Sequence, residues 1–191
     1  MIQPAGLLTI QGAAAVIRGG GVVAYPTEGV FGLGCDPMNA AAVRRVADVK
    51  QRSDAQGFVL ISSSLGQLER WVDLGLLSEV ARKAILESWP GPITWVVPAK
   101  RGAKLPASGG RTGIAVRVTA HRVASRLCEA VGGPIVSTSA NPHGAPPARS
   151  LTDVLAYFPS GLLDGVVNGK VGINAGPCQI RDALTLAVLR W

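Results

Sequence analysis

A chain of 191 residues, of which 48% are hydrophobic and 16% charged, can bury a core of its own and is neither disordered nor fibrous. Its three cysteines lie far apart, so they predict neither a disulfide framework nor a zinc site and favour a reducing compartment. The sequence contains no apolar run of membrane-spanning length and no signal-peptide leader, and we therefore expect a cytoplasmic protein without a membrane partner.

The formal net charge of +7 is concentrated in one interval. Between Glu87 and Glu129 there is no acidic residue, but there are seven basic ones: Lys100, Arg101, Lys104, Arg111, Arg117, Arg122 and Arg126. Basic and acidic residues are equal in number over the rest of the chain. Such an interval favours an anionic partner, either a polyphosphate or a nucleic acid, although it could also serve solubility alone.

The first half of the chain alternates predicted helices and strands. The first predicted helix is capped by Thr9, runs to Arg18 and is ended by Gly19–Gly21, and a strand follows at 21–25. A second helix at 40–50 is capped by Asn39 and is followed by a strand at 58–62. A third helix runs through Trp71, with Ser64 and Gln67 as a capping box. The apolar stripe of the second helix comprises Val43, Val46 and Ala47 and ends in Lys50.

The second half continues the alternation. We predict helices at 78–88, 121–131 and 151–158, and strands at 93–99, 113–118, 134–139, 165–169 and 184–190. The basic, glycine-rich stretch KRGAKLPASGGR joins two of these strands. Interleaved helices and strands without repeats or a linker predict one α/β domain around a mixed sheet.

Polar loops follow several predicted strands, and ligand sites of open α/β sheets gather at strand ends. The stretch STSAN (137–141) offers three hydroxyls and an amide, which suit either a polar ligand or an ordinary turn. Lys50 and Arg52 could grip phosphate oxygens, or could simply complement a helix C-terminus. Neither a Walker-type motif nor a GxGxxG motif is present.

Taken together, these segments resemble the short bacterial members of the YrdC-like family. The resemblance covers nearly the whole chain and rests on AYPTEGVFGLGCD, KQR at 50–52, WPGPIT at 89–94, AVRV at 115–118, STSAN at 137–141 and LR at 189–190, in that order. It implies one YrdC-like domain over residues 1–191, with a twisted mixed sheet and flanking helices around a positively charged cavity.

The resemblance also implies an activity. The family condenses ATP, bicarbonate and L-threonine, with Mg²⁺, to threonylcarbamoyl-adenylate and pyrophosphate, which is a nucleotidyltransferase reaction. Downstream proteins then transfer the threonylcarbamoyl group to the adenosine next to the tRNA anticodon, so tRNA itself would bind weakly at most. The chemistry brings two anions together, and it therefore needs positive charge more than a dedicated base.

Site residues carry over by position. Lys50 and Arg52 match the catalytic, phosphate-binding pair; Ser139, Asn141 and Arg190 match further ATP contacts; and Thr27, Arg117, Ser137 and Cys178 match the threonine site. No residue is assigned to a metal. Gly32 and Gly34 are expected to let the backbone approach the ligand. The chain departs from the family at Cys178 (serine in many relatives), at Ile61 (histidine in longer forms) and near Pro147 (often serine).

Two alternatives remain open from the sequence. One is a module that binds structured tRNA or rRNA without catalysis, although only 5% of the residues are aromatic and could stack on bases. The other is a carbamoyl-transfer domain related in fold to hydrogenase-maturation proteins, which are much longer chains. A further hypothesis makes Lys100, Arg101, Lys104 and Arg111 part of a mobile lid that holds ATP or pyrophosphate.

Overall fold

Helices and strands alternate along the described part of the chain, which in this computed structural model comprises residues 6–159, 161–174 and 176–190. The helices are α1 (Ile10–Arg18), α2 (Ala40–Val49), α3 (Glu79–Ser88), α4 (Arg122–Val131) and α5 (Leu151–Tyr157). The strands are β1 (Leu7–Leu8), β2 (Val23–Pro26), β3 (Phe31–Gly34), β4 (Val59–Ser62), β5 (Ile93–Pro98), β6 (Gly113–Val118), β7 (Ile135–Ser139), β8 (Gly165–Val167), β9 (Gln179–Asp182) and β10 (Val188–Arg190). The predicted α/β class is confirmed.

The ten described strands form one mixed sheet in the order β1-β8-β2-β3-β7-β4-β6-β5-β9-β10. The pairs β1–β8, β2–β8, β4–β6 and β5–β9 are parallel. The other neighbours are antiparallel. Three strands (β3, β7 and β4) thus separate β2 from β6 in the sheet order, and the twist of the sheet helps to bring the turn after β2 towards the end of β6.

Two helices begin at the predicted capping residues Thr9 and Asn39, and two more begin at serine caps. Thr9 accepts a hydrogen bond from the Gly12 amide, Asn39 accepts two from the first turn of α2, and Ser78 caps α3. Ser150 completes a capping box at α5. These side chains satisfy amides that would otherwise have no partner in the helix, which is why the helices begin there.

Two core clusters lie on opposite faces of the sheet. On one face α1 and α4 pack together over strand residues that include Val23, Tyr25 and Ile135. On the other face α2, α3 and α5 contribute Val46, Ile85 and Val154 among others. The stripe predicted for α2 is confirmed, because its apolar residues are all buried.

Some predicted boundaries are wrong. Residues 64–71 do not form a helix: a 3₁₀ turn spans only Leu65–Gln67, Ser64 makes no capping bond, and Gln67 accepts from the Ser63 amide instead. The strands β1, β3 and β9 were not predicted, because two residues are too few for a pattern and because FGLG and QIRD resemble loops. The closing strand is shorter than predicted, since the backbone turns at Leu186 with a φ of 63°.

Within the described ranges, none of the helices combines the length and apolar character needed to cross a lipid bilayer.

Candidate functional site

A cavity of about 390 Å³ opens on the sheet, bordered by β3, β5, β6, β7 and β10. Its lining alternates along the strands with residues of the larger core, as expected where successive side chains point to opposite faces. Four arginines line it, and its described lining contains no aspartate or glutamate. The volume is within the usual range for small-molecule sites.

Seven of the nine residues assigned to the site from the sequence line this cavity: Thr27, Arg52, Arg117, Ser137, Ser139, Cys178 and Arg190. The remaining two, Lys50 and Asn141, are not part of the lining and lie behind Ser139. Tertiary structure therefore gathers residues from six separate stretches of the sequence into one place.

Lys50 organises the end of β7. Its Nζ donates to the Ser139 carbonyl at 2.8 Å, to the Asn141 carbonyl at 2.7 Å and to Asn141 Oδ1 at 2.7 Å. An ammonium has three N–H donors, so these contacts occupy all of them. Ser139 Oγ donates to the same amide oxygen at 2.7 Å. A direct contact between Lys50 and phosphate would require exchange of one of these bonds.

Arg52 reaches the cavity itself. Its Nη2 donates to the Gly57 carbonyl, and its guanidinium lies 4.4 Å from the centroid of the Phe58 ring. Its Nε is buried and has no hydrogen-bond partner among the described residues. A buried donor without a partner is costly, and an incoming acceptor would remove that cost.

Lys50, Arg52, Arg111 and Arg190 lie close enough to repel one another, and we call this group the cationic end of the cavity. Burial, followed by the charges of Arg52 and Arg190, lowers the pKa of Lys50 to about 8. Burial, followed by the charges of Arg190 and Arg111, likewise lowers the pKa of Arg52. A bound polyanion would relieve this repulsion.

A second group of residues in the cavity is built around Arg117. Its Nη2 donates to Glu28 Oε2 at 3.1 Å, and its Nη1 donates to Thr94 Oγ1 at 3.3 Å. Both charged side chains are nearly buried, with exposed fractions of 6% and 8%. Arg117 Nε is also buried without a partner in the part of the chain that the structure describes.

The turn YPTEG, which joins β2 to β3, is held by close contacts. Thr27 Oγ1 donates to the Val30 carbonyl at 2.7 Å, and a Cβ on Gly29 would lie 2.1 Å from the Gly176 carbonyl oxygen. Gly29 therefore allows the segment before β9 to pass directly over the turn. This segment carries Cys178 to the cavity wall.

The expectation for Gly34 is wrong. A Cβ there would lie 2.6 Å from Tyr25 Cε1 and 2.9 Å from the Val136 carbonyl oxygen, and Gly34 does not line the cavity. The residue makes room for the buried Tyr25 ring and not for a ligand. Gly32 does line the cavity, as expected.

The positions at which the chain departs from the family fall into two groups. Cys178 lies in the cavity wall and is 8% exposed, and burial raises the pKa of its thiol. Ile61 is fully buried in the smaller core cluster, and Pro147 does not line the cavity. Of the three departures, only Cys178 can therefore touch a ligand in the cavity.

The basic loop contributes one residue to the cavity. Arg111 lines it, whereas Lys100, Arg101 and Lys104 are exposed and do not. The middle of the loop is anchored, because Leu105, Ala107 and Ser108 are buried and the Ala107 carbonyl accepts from the Phe58 amide at 2.8 Å. This arrangement does not favour the lid hypothesis for the first three cations.

Sequence reasoning missed Glu28, Thr94 and Thr119 as contributors to the site. Glu28 stands in the polar turn that follows a strand, which was the available signal. Nothing local indicates that its partner is an arginine 89 positions away.

Within the described ranges, no group of three or more His, Cys, Asp or Glu side chains could hold a metal ion. The residues of the cavity therefore do not fit a metal held by the protein alone.

Comparison with known proteins identifies a matching family model and similar relatives. The family model Sua5/YciO/YrdC, described as "Telomere recombination", matches residues 15–190. The chain is similar to the threonylcarbamoyl-AMP synthase of Stenotrophomonas maltophilia (strain K279a), with 49% identity over 96% of this chain and 98% of that protein. It is also similar to the threonylcarbamoyl-AMP synthase of Halorhodospira halophila, with 50% identity over 95% and 93% of the two chains.

Solved structures agree in fold. P. abyssi Sua5 complexed with L-threonine has a TM-score of 0.82 and 32% identity over 91% of this chain, and the chain spans about half of the Sua5 length (50%). E. coli YciO has a TM-score of 0.82 and 25% identity, covering 99% of this chain and 92% of its own. From its sequence, its fold and the family model, the chain belongs to the Sua5/YciO/YrdC family.

Proposed function

We propose that this protein is a threonylcarbamoyl-AMP synthase. It condenses L-threonine, bicarbonate and ATP to threonylcarbamoyl-AMP and pyrophosphate, and is thus a nucleotidyltransferase. The observation that carries the proposal is a cavity with four arginines and no described carboxylate, in which two buried guanidinium Nε atoms lack partners. Relatives of nearly equal length that bear this name support it.

The chemistry follows from the charges. The amino group of threonine attacks bicarbonate to give a carbamate and water, and a carbamate oxygen then attacks the α-phosphorus of ATP. The bond to the bridging oxygen breaks and pyrophosphate leaves. The arginines of the cationic end would bind the triphosphate and stabilise this departure, while Arg117 would hold the threonine carboxylate. Thr27, Ser137 and Cys178 would complete the wall around the amino acid.

Magnesium would arrive with the nucleotide. Mg²⁺ commonly binds substrate phosphates with few protein ligands, which suits a cavity whose described lining offers no carboxylate. Lys50 and Asn141 would act by shaping the loop that presents Ser139 to the nucleotide.

The biological setting follows from the product. A threonylcarbamoyl-adenylate is reactive, so downstream proteins would transfer its acyl group to the adenosine beside the tRNA anticodon, with tRNA itself a weak ligand of this chain. Since ATP and tRNA are cytoplasmic, we infer a cytoplasmic location. The extent of a single domain over residues 1–191 stays a prediction.

The test is mass spectrometry of the product formed from Mg·ATP, bicarbonate and L-threonine, with each substrate omitted in turn. We expect threonylcarbamoyl-AMP and pyrophosphate only in the complete mixture. A folded protein that forms no adenylate but binds tRNA tightly would overturn the proposal and support the RNA-binding alternative.

A further inference from the structure

Glu28 forms a salt bridge with Arg117, an arginine that lines the cavity. Glu28 does not itself line the cavity. We infer that Glu28 is a positioning residue, which fixes Arg117 for recognition of the amino-acid carboxylate; this inference rests on the proposed function. Thr119 acts with it by fixing the carboxylate of Glu28.

The contacts of Glu28 leave it little freedom. Oε2 accepts from Arg117 at 3.1 Å, while Oε1 accepts from the Thr119 hydroxyl at 2.6 Å and from the Ala120 amide at 3.2 Å. All three partners are donors. A carboxylate can accept from all of them, but an amide in its place would direct its NH₂ group at another donor.

The Thr119 hydroxyl is oriented as well. Its oxygen accepts from the His121 amide at 3.1 Å, so its own proton remains available for Glu28. The carboxylate is thus fixed by the segment that directly follows β6, and it in turn fixes a side chain of β6. Arg117 is fixed on its other side by Thr94 of the neighbouring strand β5.

These contacts leave part of the Arg117 guanidinium without a described partner. One N–H of Nη2 points to Glu28 and one of Nη1 to Thr94, while Nε–H has no described partner. A guanidinium held in this way presents a fixed donor edge and loses little entropy when a carboxylate binds. Glu28 also offsets the charge of Arg117, so the strongest attraction for triphosphate stays at the cationic end.

The experiment compares Glu28→Gln and Thr119→Val with wild type, using separate KM values for L-threonine and ATP. Loss of orientation should raise the KM for threonine at least about tenfold for Glu28→Gln and about threefold or more for Thr119→Val, with the KM for ATP changed less than about twofold. Thr119→Ser keeps the hydroxyl and should rescue the threonine KM. Ser125→Ala removes a surface hydroxyl-to-carboxylate bond of the same kind and serves as the matched control.

If Glu28 and Thr119 serve only the stability of the fold, their substitution should lower Tm and either leave the KM values for L-threonine and ATP unchanged or raise both equally. That result would overturn the inference. If Glu28→Gln does not fold, the comparison of Thr119→Val with Thr119→Ser decides. Calorimetric titration with L-threonine should show the same loss of affinity without turnover. Failure of wild type to form threonylcarbamoyl-AMP would instead refute the proposed function, so the two failures are distinguishable.

Discussion

Lys50 and Arg52 stand two residues apart, yet they make different contacts in the folded protein. The ammonium of Lys50 is saturated by oxygens of Ser139 and Asn141. The guanidinium of Arg52 borders the cavity with its Nε unpaired. We therefore expect Lys50 to act through the loop that it holds and Arg52 to act by direct contact with phosphate.

Substitution of either residue should reduce adenylate formation without unfolding the protein. Loss of a charge-assisted hydrogen bond costs about 1.5–3 kcal/mol, so Lys50→Ala and Arg52→Ala should each lower the rate at least about tenfold. Steady-state kinetics and circular dichroism measure the two effects. The control is Arg18→Ala, which removes another cation at a helix end. If all three variants keep the wild-type rate, Lys50 and Arg52 only complement the end of their helix.

The depressed pKa of Lys50 predicts a pH dependence for ATP binding. Burial and neighbouring arginines lower this pKa to about 8, so the ammonium loses its proton as the pH rises through that value. Affinity for the anionic nucleotide should then fall above pH 8, by up to about tenfold per pH unit, and binding near pH 8 should take up a proton.

Calorimetric titration with ATP alone between pH 7 and 9.5 measures this affinity without interference from the ionisation of threonine. The decline of ATP affinity with rising pH should be absent in Lys50→Met, because this variant already binds ATP weakly. A wild-type affinity that is flat across this range would show that the charge of Lys50 does not contribute to nucleotide binding.

At the scale of elements, the end of α2 decides how Lys50 and Arg52 are presented. The Gln51 amide donates to the Asp48 carbonyl and the Arg52 amide donates to the Ala47 carbonyl, which is the Schellman pattern. Gln51 takes the left-handed position with a φ of 51°, where glycine is usual. Its side chain is exposed, so its conformation is imposed by the backbone turn.

Substitutions at Gln51 should therefore act through the backbone. Gln51→Gly removes the left-handed strain but adds freedom to the unfolded chain, so we expect little change in Tm or activity. Gln51→Val places a β-branched residue at positive φ and should cost about 1–2 kcal/mol while raising the KM for ATP. Thermal unfolding and kinetics test this, and equal values for valine and glycine would contradict the role of the turn.

At the scale of the whole molecule, the twisted sheet brings the turn after β2 to the end of β6 and closes one side of the cavity. Because the fold decides which side chains face the cavity, basic residues that are concentrated in one interval of the sequence need not line it. Of the seven basic residues between Glu87 and Glu129, only Arg111 and Arg117 line the cavity.

This difference predicts a contrast between variants. Arg111→Ala should raise the KM for ATP about tenfold, because its charge lies beside Arg52. The triple variant Lys100→Ala, Arg101→Ala, Lys104→Ala should change it less than about twofold, since those side chains are exposed outside the cavity lining. A large effect of the triple variant on ATP would restore the lid hypothesis, and a selective loss of tRNA binding would assign the loop to nucleic acid.

Local patterns in the sequence determined the α/β class, the capping residues Thr9 and Asn39, the helix that starts near residue 78, and the buried stripe of α2. These features depend on residues within a few positions of one another, so periodicity and capping chemistry suffice to predict them. FGLG was missed as a strand for the same reason, since Gly34 is explained by Tyr25 and Val136 on the neighbouring strands.

Only the tertiary structure decided how the site is divided. It separated Lys50, which supports a loop, from Arg52, which faces the cavity; it joined Glu28 to Arg117; and it left most of the basic loop outside. The physical reason is that each of these outcomes depends on pairing between strands far apart in the sequence. A turn such as YPTEG contains the carboxylate, but only the order and twist of the sheet determine which cation it meets.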